Sequence, residues 1–274
     1  MQKPAASHIS MTNGQISEKM DTVQTIQEQD LIYEVFRIEQ KHPLFLDDHL
    51  LRLNQSIRQT GHVPGIKNSL LKKDLLQMIR QSRTDKGNIR IEFCFEKRVP
   101  EPHYFRAFFI PTSYPDNSMY KNGVACNLLE ATRTNPSVKM ANPDLRNRSD
   151  QIIKKEHIYE TILVNQQGTI TEGSRSNLFF IRDNTVYTAP DHLVLKGIMR
   201  QKVLQVLETH HIEVKMEAIP TYDLPYFEGC FITGTSPRVL PVQRIDSIHF
   251  TIPNPLISNI KLWIDDLIAE HIAH

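Results

Sequence analysis

A chain of 274 residues with 40% hydrophobic content is long enough for one large domain or two of ordinary size, and apolar enough for a globular core. Its 32 basic and 31 acidic residues leave a formal charge of +1, which argues against a broad electrostatic footprint for nucleic acid or anionic lipid. No apolar run reaches the length of a bilayer span, and the polar opening Met1-Gln-Lys-Pro-Ala-Ala-Ser leads into no apolar signal segment, so no membrane partner is expected and the chain reads as cytoplasmic.

In chain order, residues 8–15 read as a strand entering an Asn13-Gly14 hairpin turn. Leu31 to Ile38 is a second strand, with Tyr33, Val35 and Arg37 alternating against Ile32, Glu34 and Phe36. A helix begins near Phe45, with Asp47 as its N-cap and Leu50, Leu53 and Ile57 as its apolar stripe. A second helix runs from about Ser69 to Gln81, with Leu71, Leu75, Met78 and Ile79 inward. Strands follow at Ile89–Phe95 and Tyr104–Ile110.

Pro111 to Gly123 is rich in proline and polar residues, so it predicts a connection between two halves. Residues 1–115 are then a small α/β domain, 116–123 a linker and 124–274 a larger α/β domain. The second half offers a strand at Val124–Leu129, a helix over Leu145–His157 and a hairpin over 159–170. Strands at Asn177–Ile181 and Val186–Thr188, a helix over Lys196–Leu207 and a strand at Ile212–Ala218 come next. Phe231 begins a strand and turn, and an amphipathic helix carrying Leu256, Ile260, Trp263, Ile264, Leu267 and Ile268 ends the chain. The three cysteines, Cys94, Cys126 and Cys230, are far apart beside apolar neighbours. They read as buried thiols, with neither a disulfide framework nor zinc spacing, and no metal is expected. The adjacent His210 and His211 fall in a helix-to-strand connection and read as surface residues.

Several segments carry a more specific signal. Lys139 stands in Lys-Met-Ala-Asn, 33 positions upstream of Glu172 in Thr-Glu-Gly-Ser-Arg-Ser-Asn, with Tyr159-Glu160 between them. Elsewhere the chain has His49-Leu-Leu-Arg52-Leu, Leu195-Lys-Gly197-Ile198-Met199-Arg200 and Thr233-Gly-Thr235-Ser236. Together these resemble the class IV aminotransferases of pyridoxal phosphate fold type IV, from roughly Ser10 to Asp246. That group includes the branched-chain and D-amino acid aminotransferases and aminodeoxychorismate lyase.

The resemblance implies a two-domain α/β fold, a small sandwich plus a larger barrel-like domain, with pyridoxal 5′-phosphate in the cleft between the halves of a homodimer. It implies that Lys139 forms the Schiff base and moves the substrate's Cα proton, and that Glu172 holds the ring nitrogen. Arg52 would fork onto the phosphate, the amides of Ile198 and Met199 would bind it after Gly197, and Thr235 would cap it. Leu195 would pack under the ring, and Tyr33 and Ser236 would face substrate. Lys154 and Lys155, in a charged helical setting, read as surface residues.

The chain departs from the family pattern in three places. Gln29-Asp30-Leu31-Ile32-Tyr33-Glu34 replaces a segment with two glycines, which puts its backbone turns in question. The Arg-x-His pair of the D-amino acid enzymes has no counterpart at Phe95-Glu96-Lys97, which leaves Arg98, Arg106 and Arg175 as candidate carboxylate anchors. Pro143 stands where the branched-chain enzymes have a tyrosine. The first reading is amino transfer between an amino acid and a 2-oxo acid. The alternatives are a lyase releasing pyruvate and 4-aminobenzoate from 4-amino-4-deoxychorismate, and a non-catalytic relative.

Overall fold

A computed structural model describes residues 9–18 and 29–273. The chain divides into two compact units, one of Met1–Ser113, Val138–Ala141 and Glu270–His274, the other of Tyr114–Ser137 and Asn142–Ala269. Lys139 therefore belongs to the first unit, within a four-residue segment whose flanking stretches, up to Ser137 and from Asn142, belong to the second.

In the first unit β1 (Ser10–Thr12) and β2 (Gln15–Ser17) flank the expected turn, where Asn13 and Gly14 both take positive φ. β3 (Gln29–Glu39), β4 (His42–Pro43), β5 (Gly87–Glu96) and β6 (Tyr104–Ile110) complete an antiparallel sheet of order β2-β1-β6-β5-β3-β4. β3 pairs with β5 without a break from Gln29↔Glu96 to Ile38↔Gly87. The residues that replace the family's glycines are thus plain extended strand with no positive φ, and the turn those glycines would serve is not made. His62 fixes this end of β3, with Nε2 3.2 Å from Asp30 Oδ2 and its ring stacked on Phe95.

Helices α1 (Leu46–Gln59) and α2 (Asn68–Gln81) supply apolar faces to this sheet. The inward residues of α2 are the four that its periodicity predicts. The N-cap of α1 is Phe45 in a left-handed conformation, not Asp47, because the chain enters through a tight turn in which the Leu44 amide bonds the Arg37 carbonyl. Asp47 lies in the first turn, where its charge still complements the helix dipole. Met11, Ile32, Phe36, Leu50, Leu53, Ile57, Leu75 and Phe93 form the centre of the core. Each such burial contributes about 1.5–3 kcal/mol.

The second unit begins with α3 (Asn117–Asn122), inside the stretch that reads as a linker. The Asp116 carboxylate caps it through the Met119 amide, and none of its residues is buried, so the sequence carries no periodic trace of it. Next come β7 (Val124–Glu130), α4 (Pro143–Glu156), β8 (Glu160–Val164), β9 (Thr169–Gly173), β10 (Asn177–Arg182) and β11 (Thr185–Thr188). α5 (Ile198–Thr209), β12 (Val214–Met216), β13 (Ile219–Pro220), β14 (Gly229–Gly234), β15 (Arg238–Ile245), β16 (Ile248–His249) and α6 (Pro255–Ala273) follow.

The sheet of this unit runs β12-β11-β10-β14-β15-β7-β8-β9-β13, with β16 on β15, and β7 lies parallel to both its neighbours. Its strands are buried on both faces over β8 to β11, so the polar residues among them, Glu160, Thr161, Thr169, Thr171, Glu172, Asn177, Thr185 and Thr188, are enclosed as well. Asn142 caps α4 through the Leu145 amide, so the Lys-x-x-Asn motif ends as a helix N-cap. All three cysteines are buried free thiols, and His210 and His211 are exposed, as expected. Among the described residues no helix is long and apolar enough to cross a membrane, and no acidic, histidine and cysteine cluster could hold a metal ion.

Candidate active site

In the first unit the segment of Lys139 is laid against β3. The Tyr33 amide donates to the Lys139 carbonyl at 3.0 Å, the Ala141 amide donates to Leu31, and Ile32 bridges Met140. Ser56 of α1 accepts the Lys139 amide at 3.2 Å. With its backbone held on both sides, the partly buried lysine brings Nζ to 5.0 Å from the centre of the Tyr33 ring. The Arg90 guanidinium lies 4.0 Å from the same ring, so Tyr33 is bracketed by two cations.

Tyr33, Glu92 and Arg106 are register partners across β3, β5 and β6. Buried Glu92 pairs with both arginines, through Arg90 Nε and through Arg106 Nη2 at 2.7 Å. Two arginines share one carboxylate, so the cluster is cationic by one charge. Of the other candidate anchors, Arg98 is exposed in the turn after β5, and Arg175 is directed at Asp150 and Glu160.

Arg52 is buried one turn from His49 on α1, and both meet the wholly buried Glu34. Arg52 donates through Nε at 2.7 Å and Nη2 at 2.8 Å, while His49 Nδ1 lies 2.9 Å from the second oxygen. Burial alone would raise the Glu34 pKa, but the Arg52 charge and the bonds from His49 and Arg52 outweigh it and hold the carboxyl well below its ordinary range. Burial pushes the His49 imidazole below its ordinary value against the pull of Glu34, and the charges of Arg52 and Lys139 add to that lowering. Glu34 carries no assignment from sequence, because it follows the positions of the lost glycines along β3 and its partners come from α1.

In the second unit Glu172 is buried near the end of β9. Its Oε2 accepts the Leu195 amide at 3.1 Å and Asn177 Nδ2 at 3.3 Å. Its Oε1 forms an ion pair with Arg133 Nε at 3.0 Å, outside hydrogen-bond alignment. Arg133 Nη2 donates to the Ser174 carbonyl, which anchors the guanidinium. Asn177 Nδ2 also reaches the Leu195 carbonyl at 2.8 Å, so one side chain ties the glutamate to the loop before α5. A Cβ on Gly197 would run into Asn177 Oδ1, which explains the glycine at the N-cap of α5.

Ile198 and Met199 are the first two residues of α5, where backbone N–H groups have no intrahelical acceptor. Thr235 and Ser236 occupy the turn after β14, half-buried. Thr233, the register partner of Asn177, is buried, and its hydroxyl has no hydrogen-bond partner among the described residues. Arg133 and Thr233 carry no assignment from sequence. The loop holding Arg133 has no periodicity, and Thr233 reads as an ordinary strand residue.

Residues 31–245 match the family described as amino-transferase class IV. A D-alanine aminotransferase of Bacillus licheniformis is 27% identical over 278 residues, covering 95% of this chain and 97% of the relative. The branched-chain aminotransferase of the archaeon Thermoproteus uzoniensis, solved with norvaline, superposes with a TM-score of 0.86 at 18% identity over 97% of this chain and 96% of that one. A putative 4-amino-4-deoxychorismate lyase from Legionella pneumophila reaches a TM-score of 0.80 at 20% identity over 91% and 97%. The fold is that of these two-sheet α/β enzymes. With the sequence match spanning the first strand of the Tyr33 segment to the end of β15, the chain belongs to the class IV aminotransferase family.

Proposed function

We propose that this protein is a pyridoxal 5′-phosphate-dependent aminotransferase that moves an amino group between an amino acid and a 2-oxo acid, with Lys139 as its catalytic residue. The observation that carries the reading is the setting of Lys139. Its backbone is bonded to β3 and α1, and its amine faces an aromatic ring between cationic groups. The nearly full-length match to a D-alanine aminotransferase favours transfer over elimination.

The residues present fit the cofactor. The unpartnered Thr233 hydroxyl, the Thr235-Ser236 turn and the start of α5 together offer neutral donors suited to a phosphate. When bound, pyridoxal 5′-phosphate supplies an electron-accepting ring and a carbon that exchanges the amino group. Lys139 would serve as the base that takes the proton from the substrate Cα and holds it for return, a role worth about 10²–10⁴-fold in rate. Glu172, kept company by Arg133, holds a proton at the ring nitrogen. As in the family, Leu195 would pack against the ring, the amides of Ile198 and Met199 with Thr235 would take the phosphate, and Arg52 would add its charge. As in the family, Tyr33 and Ser236 would face the substrate, and in the first unit the Arg90–Glu92–Arg106 cluster beside Tyr33 would offer its carboxylate a positive charge. A homodimer is part of the proposal, tested by sedimentation.

Borohydride reduction of the protein with pyridoxal 5′-phosphate is expected to leave the adduct on the peptide containing Lys139, and an adduct elsewhere overturns the assignment. D-alanine alone is expected to yield at most one pyruvate per bound cofactor, and further pyruvate only when a 2-oxo acid is present to take up the amino group. Pyruvate and 4-aminobenzoate from 4-amino-4-deoxychorismate, with no acceptor added, would establish the lyase reading that the Legionella neighbour and the Gly197–Gln201 run keep open.

A further inference from the structure

Glu172 has a role in the proposed reaction, but a second wholly enclosed carboxylate of the same unit, Glu160, has none. Glu160 opens β8 and is 2% exposed. Its Oε1 accepts the Thr161 amide at 3.0 Å and the Ser174 hydroxyl at 2.6 Å. Its Oε2 accepts the Arg175 amide at 3.2 Å and the Ser176 hydroxyl at 3.0 Å, and Arg175 Nε lies 3.9 Å from Oε1. Apart from Thr161, every one of these groups lies in the turn between β9 and β10.

A Cβ on Gly173 would run into Ser176 Oγ and stand 3.2 Å from Glu160 Oε2, so the glycine lets the turn close on the carboxylate. Ser149 Oγ bonds both Ser174 Oγ and Thr161 Oγ1, completing a buried polar cluster. The turn also has a load to carry. The Ser174 carbonyl receives Arg133 Nη2 at 3.0 Å, and Arg133 Nε faces Glu172 Oε1 at 3.0 Å. Backbone bonds hold one side of the turn, from the Ser174 amide to Thr161 and from the Gly173 amide to Ser176. The side facing Arg133 is set by Glu160.

We propose that Glu160 is a positioning residue for the Glu172 carboxylate, acting through the Ser174 carbonyl and Arg133. It rests on the reading of Glu172 as the ring-nitrogen partner only for its consequence in catalysis, because the positioning is a property of the protein alone. Uncompensated loss of one buried acceptor leaves several donors competing for the remaining one, which rotates the turn rather than merely weakening it.

The test uses the full chain labelled with ¹³C at glutamate carboxyl groups, and reads the Glu172 resonance without cofactor. Glu160→Gln is expected to shift that resonance, Arg133→Ala to shift it also, and the double variant to add nothing to Arg133→Ala. Ser149→Ala loosens the same cluster without touching either carboxylate, and is expected to leave the resonance in place. Where Glu160→Gln does not fold, Glu160→Asp keeps the charge and withdraws it by one methylene, with the same expected shift.

An unmoved resonance, an equal shift with and without Arg133, or an equal shift in Ser149→Ala overturns the proposal. Pyridoxal 5′-phosphate titration of the same variants is expected to show about tenfold weaker binding for Glu160→Gln, about 1.4 kcal/mol. A wild type that forms no borohydride adduct at Lys139 would overturn the proposed function and leave the resonance test standing.

Discussion

Glu34 and Glu172 are both buried carboxylates beside a buried or half-buried arginine, yet the two units use them differently. Glu34 has both oxygens engaged by Arg52 and His49 in bonds of 2.7–2.9 Å. Glu172 is held on one oxygen by longer bonds of 3.1 and 3.3 Å, and its other oxygen faces the charge of Arg133 outside hydrogen-bond alignment. In the first arrangement both carboxylate oxygens are engaged from within the protein, which ties β3 to α1. The second leaves Oε1 in an ion pair without an aligned hydrogen bond, which suits the ligand-facing role proposed for Glu172. Burial leaves the two acids alike, while the alignment of their hydrogen bonds sets them apart.

The contrast is broken most directly at Glu34. Glu34→Gln leaves the Arg52 charge enclosed without its counterion, so unfolding by urea should show a loss of about 3–5 kcal/mol. Glu172→Gln should cost the fold much less, and the comparison collapses if the two variants unfold alike. In return, Glu172→Gln should lower turnover by about 10²–10³-fold, the scale of removing one preorganised electrostatic partner.

Acid offers a gentler probe of the same difference. Glu34 and His49 both have lowered pKa values in the folded protein, so each contributes stability that is present above its ordinary value and lost as the pH falls. Stability should therefore begin to decline below the ordinary histidine value of 6.5 and decline further below the ordinary carboxyl value of 4.5, and Glu34→Gln should flatten the lower part of that profile. The smallest effect is expected at Thr233→Val. Removing an unpartnered buried hydroxyl should leave the cofactor-free protein equal or more stable by up to about 1 kcal/mol while weakening pyridoxal 5′-phosphate binding several-fold. Differential scanning calorimetry and a cofactor titration read the two halves of that prediction.

Much of this was legible in the chain because it rests on local periodicity. The inward face of α2, the limits of β6 and the Asn13-Gly14 hairpin follow from apolar spacing and turn chemistry. The motifs around Lys139, Arg52 and Glu172 were equally plain. Partners brought from a distance were not: Glu34 and Arg52 are separated by a strand and a turn, and Arg133 reaches Glu172 from an irregular loop. Asp47 was misjudged as a cap because its residue type fits, while the left-handed Phe45 that does the work has a side chain no propensity favours there. The exposed α3 escaped because a helix that buries nothing leaves no pattern.

The four-residue excursion Val138–Ala141 sets the timing of competence. Residues 32 and 140 must meet before the Lys139 amine faces Tyr33, so the reactive amine cannot acquire its setting from local folding. During synthesis, β3 and its sheet are made long before their last short pairing partner emerges. A fragment cut at the boundary after Ser113 would carry Tyr33, Arg90 and Arg52 but not Lys139, and its complement would carry Lys139 without the strand it pairs with. The protein is thus divisible in space but not in sequence.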